Sequence, residues 1–214
     1  MMNTLLALAI YAITTTKAVA GDYLLGIQSV RSERTFSLTN RYPDPWVSDI
    51  FRDNILLTLA HMDNEVSDPA KVDWSAVVKP QSYSFTLNPG EVFAFHEDVL
   101  PQFEGKVVKT MHAHFNYTDG FKSDGYLTGD GVCHLAALLY WAARDAGLEA
   151  LAPTNHDFAT IPEVPKEYGV SIYFTPGARE ANAQKNLYIT NTLNKAVEFA
   201  FAFDGTRLTV KVID

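Results

Sequence analysis

The sequence predicts an α+β fold in which a cysteine-bearing helix packs on an antiparallel sheet. Three observations predict it. Residues 129–148, "GDGVCHLAALLYWAARDAGL", place Leu135, Leu138, Leu139, Ala142 and Ala146 on one helical stripe. Near the end, "AVEFAFAF" and "TRLTVKVI" alternate apolar and polar residues around Asp204-Gly205, a strong hairpin signal. Strand-like segments come mostly after the helix instead of alternating with further helices, which favours α+β over a doubly wound sheet.

The elements follow in order. "LLALAIYAI" (Leu5 to Ile13) is a short apolar run followed by Ala18-Val19-Ala20. That is the pattern of a secretory signal peptide over residues 1–20, too short for a comfortable membrane span. The n-region lacks Lys and Arg, so an uncleaved anchor or a packed helix is the rival reading. Residues 21–81 form an N-terminal subregion. Residues 22–40 read as extended, and Trp46, Ile50, Ile55, Leu56, Leu59 and Met62 fall mostly at helical spacing behind two prolines. The polar stretch 63–80 reads as loop or short helix. "SYSFTLNPGEVFAF" reads as strand, turn, strand, and "VSIYFTP" (Val170 to Pro176) and "NLYITNT" (Asn186 to Thr192) as strands. Gly147 is placed to end the cysteine helix.

The net charge of −8 argues against nucleic-acid binding, which needs a basic surface. No segment after residue 20 is apolar enough to span a bilayer. Cys133 is the single cysteine, so an internal disulfide is excluded. Its thiol is a buried apolar residue, an intermolecular bridge or a nucleophile. A thiol at a helix start feels unpaired N–H groups and the positive end of the dipole, both of which favour the thiolate. Gly129, Asp130 and Gly131 let the backbone approach a substrate, and their N–H groups could hold an oxyanion. His156, 23 residues after the cysteine, is the candidate base. Glu180 or Asp157 is the candidate orienting acceptor. His134 points away from Cys133 on a helix but can line the same cleft. His112 and His114 would share a side if they lie in a strand, and could then join Cys133, His134 or His156 around a metal. The blander reading is that they bond backbone or solvent. No cofactor motif is present.

Residues 82–214 resemble the VanW family. The resemblance rests on "GDGVCHLAALLYWAARDAGL", similar to the family's Gly-rich run, Gly-Val-Cys and helix ending in Ala-Gly-Leu. "NPGEVFAF", "NHDFA", "IYFTPGAREAN" and "ITNTLNKAVEFAF" match further family segments. His134 stands for the usual Gln, Asp130 for a Gly and Glu180 for an Asp, and "TIPEVPKEYG" looks like an insertion. The resemblance implies an exported bacterial protein of the secreted or cell-envelope compartment. By analogy it implies a transglutaminase- or papain-like order with Cys133 as nucleophile, His156 as base and Glu180 as orienter. The expected activity is thiol hydrolysis or acyl transfer on peptidoglycan or envelope peptides, with Gly129, Asp130, Gly131 and His134 binding substrate. The alternative is a non-catalytic envelope module that binds peptidoglycan or a protein, with Cys133 buried and inert.

Overall fold

The computed structural model describes residues 29–214, so the segment read as a signal peptide lies outside the described residues. Strand β1 (Val30–Ser37) opens the fold. Asp44 then caps α1 (Pro45–Met62). Its carboxylate accepts the N–H of Trp46 at 2.8 Å and of Val47 at 3.3 Å, and Pro45 occupies the first position, where its missing N–H is no loss. The polar stretch that follows holds a 3-10 turn and α2 (Trp74–Val77). Next come β2 (Gln81–Leu87), β3 (Val92–Ala94), β4 (Val107–Lys109) and α3 (Val132–Asp145), the cysteine helix. The remainder is β5 (Glu149–Leu151), α4 (Arg179–Gln184), β6 (Tyr188–Thr190), β7 (Val197–Phe203) and β8 (Arg207–Ile213).

The strands form two sheets. The first, in the order β1-β8-β7-β2, is antiparallel throughout. The second, β4-β3-β6-β5, is antiparallel except for the parallel pair β3–β4. Alternation decides which face is buried. Tyr83, Phe85 and Leu87 of β2, Phe199, Phe201 and Phe203 of β7, and Leu208, Val210 and Val212 of β8 all enter one core. Phe85 stacks on Phe199 at 4.9 Å and on Phe93 of β3 at 5.0 Å, so one ring joins the two sheets. Helix α3 packs against β1, β8, β5 and α1, burying the predicted stripe. It ends as its sequence requires. Gly147 takes φ +82°, the Gly147 N–H donates to the Arg144 carbonyl, and the Leu148 N–H donates to the Ala143 carbonyl. Those two bonds satisfy carbonyls the helix leaves open.

The expected mixed architecture, the hairpin at Asp204-Gly205 and the α1 and α3 helices are all present. Four local expectations differ. The two strands flanking Asn88-Pro89-Gly90 part into different sheets, because β2 pairs with β7 and β3 with β6. Val170–Pro176 joins no ladder; it runs extended past the start of α3, with Val170 and Ile172 buried. The Asn186–Thr192 strand shortens to β6. The Asn186 side chain takes over the bonding before it, accepting from the N–H groups of Phe95, His96 and Leu187. His112 and His114 do not lie in a strand. His112 has φ +54°, which breaks the alternation that would have put both rings on one side.

Candidate functional site

The start of α3 is held by its neighbours. Gly131 caps the helix at φ +96°, and a Cβ there would come within 2.5 Å of the Phe51 carbonyl oxygen on α1. Only glycine allows that approach. Asn54, fully buried on α1, fixes the loop that leads in. Its amide donates to the carbonyls of Lys122 at 3.1 Å and Asp130 at 3.0 Å, and its oxygen accepts the Lys122 N–H at 2.9 Å.

Cys133 is the second residue of α3. Its Sγ lies 3.6 Å from the Ile172 carbonyl oxygen, to which the thiol donates, and 3.4 Å from the Ile172 N–H, which it accepts. The extended segment that was expected to be a strand is therefore a bracket for the thiol. Burial pushes the thiol up to about 11, with the Asp130 charge acting in the same direction, against the Ile172 N–H. The helix-start argument for a thiolate loses to desolvation, so the unliganded site holds a neutral thiol.

A cavity of about 790 Å³ opens beside it. Gly129, Asp130, Gly131, Cys133, His134 and His156 all line it, so six of the seven residues that the resemblance implies for catalysis or substrate binding meet there. The seventh, Glu180, does not. It sits exposed in the first turn of α4, outside the lining. Asp157 is also exposed. The His156 ring instead donates from Nδ1 to the Ala159 carbonyl at 3.2 Å, which leaves Nε2 as the acceptor in the neutral imidazole. Burial lowers the His156 pKa, so the ring is neutral near pH 7. His134 is only 5% exposed, and its ring centroid lies 6.3 Å from that of His156. Burial, then the charge of Arg41, lowers its pKa to about 3.

Among the described residues there is no hydrogen bond between Cys133 and either histidine. His114 also lines the cavity, but it donates to Glu97 at 2.6 Å and sits beside Asp119, whereas His112 faces Thr110. No three His, Cys, Asp or Glu side chains among the described residues converge as metal ligands do. His61 and His96 are buried packing residues.

The sequence reading missed the rest of the lining. Arg41, Tyr42 and Phe51 come from the N-terminal subregion, and Tyr126, Phe158 and Tyr173 from loops. Tyr126 is 98% exposed and Phe158 77%, which gives the cavity an aromatic rim.

A family profile described as VanW like protein matches residues 80–213. The chain belongs to the VanW family. The VanW stretch carries α3, His156 and the whole of the second sheet, while β1, α1 and the wall they supply precede it. Neither a curated protein nor a solved structure matched the chain. No helix among the described residues is long and apolar enough to cross a membrane.

Proposed function

We propose that the cavity is an acyl-transfer site, with Cys133 as nucleophile and His156 as base, on α3 as the nucleophile helix of a transglutaminase- or papain-like arrangement. One observation carries the reading. The thiol at the start of α3 and an imidazole whose Nε2 has no hydrogen bond among the described residues share one cavity. The pair works as neutral thiol and neutral base. Substrate entry draws the thiol from the Ile172 carbonyl, and the bond from Sγ to the acyl carbon forms as the thiol proton passes to His156. The N–H groups of Gly131 and Cys133 stabilise the oxyanion, since those of Gly129 and Val132 already donate to the Lys122 and Gly129 carbonyls. The bond to the leaving amine or alcohol breaks as His156 returns the proton to it. Water or a second amine then attacks the thioester and restores the thiol. The orienting acceptor for His156 is the Ala159 carbonyl, and Glu180 has no part.

We place the substrate among amide- or ester-bearing peptides of the cell envelope. The apolar run and Ala-Val-Ala of residues 1–20 support that placement. The second reading is a binding module with an inert cysteine. The raised thiol pKa and the bonds to Ile172 favour it.

An acylating probe separates the two. Folded protein treated with a p-nitrophenyl ester of a short peptide is expected to carry one acyl group on Cys133 by intact mass. His156→Ala should slow that step about 100-fold or more. A cysteine that acylates only after unfolding would establish the binding module.

A further inference from the structure

Resting on the acyl-transfer reading, we infer that the acyl group taken by this cavity carries a primary ammonium beside its carbonyl, held by Asp130. Asp130 lines the cavity three residues ahead of Cys133, with its backbone carbonyl fixed by Asn54. Its Oδ2 is buried and has no hydrogen-bond partner. The carboxylate forms no ion pair among the described residues. The cations that could have served are engaged elsewhere. Lys122 donates to Asp53 at 2.5 Å and lies over Trp74, and Arg41 donates to Glu163 at 2.6 Å.

A second group in the same lining is also unsatisfied. His134 is 95% buried, by its 5% exposure, and its Nδ1 has no partner. The ring is neutral, so with its proton on Nε2 that nitrogen accepts a hydrogen bond. Asp130 is half-buried, and only its Oδ2 is shut from water without a partner; a buried oxygen of that kind is costly and is normally satisfied. The ligand that would satisfy this lining is a donor with positive charge. An ammonium offers three N–H groups and neutralises the carboxylate. An anion would meet Asp130 and the like charge of Asp124, which already acts on it.

Placement ties the ammonium to the reacting carbon. The Asp130 charge reaches the thiol. In an aminoacyl group the ammonium is two bonds from the carbonyl carbon. With that carbon on Sγ, the ammonium stays close to the helix start, in the cavity that Asp130 also lines. The same chemistry could come from an amine farther along a side chain, but the nearness of Asp130 to Cys133 in sequence favours the amine of a peptide N-terminus.

Calorimetric titration of the full chain at pH 7 tests this, using alaninamide, 6-aminohexanamide and propionamide as probes. An α-amino group is still protonated at that pH. Alaninamide is expected to bind about tenfold tighter than propionamide, the factor expected of one charge-assisted hydrogen bond. Cys133→Ser should keep that preference, and Asp130→Asn should bring the ratio to about one. Equal binding of alaninamide and propionamide by the unsubstituted protein would overturn the proposal, and so would a preference that survives in Asp130→Asn. Equal binding of 6-aminohexanamide would overturn the placement beside the carbonyl. Selective binding without acylation of Cys133 would sink the acyl-transfer reading and still support the ammonium site.

Discussion

His134 shows how one residue links the cavity to the stability of the fold. Its folded-state pKa, about 3, lies well below the ordinary histidine value. Between the two values the unfolded chain binds the proton and the folded chain does not. Stability is therefore fully present above about pH 6.5 and is lost as the pH falls toward 3, by at most about 1.4 kcal/mol per pH unit. His96 and His156 are lowered too and act in the same direction. Asp130, raised to about 6, acts oppositely as it gains its proton. The difference between the unsubstituted protein and His134→Gln isolates the single ring. Thermal melts from pH 7 to pH 4 should show a smaller loss of Tm in the variant. An equal loss in both proteins would mean that His134 is protonated in the folded state.

At the scale of elements, the junction of α1 with the start of α3 sets the site. Gly131→Ala puts a Cβ against the Phe51 backbone and a side chain at φ +96°. The expected destabilisation is about 2–4 kcal/mol in urea unfolding. Gly90→Ala is the comparison, with φ +81° and open space around its Cβ, and should lose only about 1 kcal/mol. Matching losses would show that the approach of α1 is not tight. Such junctions are where the sequence stops being legible. The proline-led start of α1, the end of α3 at Gly147 and the Asp204-Gly205 hairpin were readable because each is decided by neighbours within a few residues. The segment Val170–Pro176 misled because its buried alternation, Val170 and Ile172 inward, comes from packing beside α3 without a ladder. Cys133, His156 and the glycine run were legible as candidates, whereas the Ala159 carbonyl was not, since a backbone acceptor leaves no residue type to recognise.

At the scale of the whole molecule, the VanW stretch does not enclose its own cavity. Strand β1 pairs along β8, and α1 packs on α3, so residues 29–79 cover both an edge of the first sheet and a face of the cysteine helix. Arg41, Tyr42 and Phe51 lie some 80 residues or more before the residues they face, a distance no local pattern spans. Residues 80–214 expressed alone should lose the cooperative calorimetric transition and the near-ultraviolet dichroism of the longer chain. A sharp transition at an unchanged Tm would show that the first sheet stands without β1.

The wall supplied by α1 also bears on how such a protein can change over generations. The Phe51 backbone leaves room only for glycine at 131, and the Asn54 side chain is what the backbone of Lys122 and Asp130 bonds. Position 54 in one stretch and position 131 in the other are therefore held by contacts that cross between the two. Such positions vary less freely than the exposed residues around them. Hybrids that exchange only the stretch from 80 to 213 between relatives inherit a cleft whose two walls were never selected together.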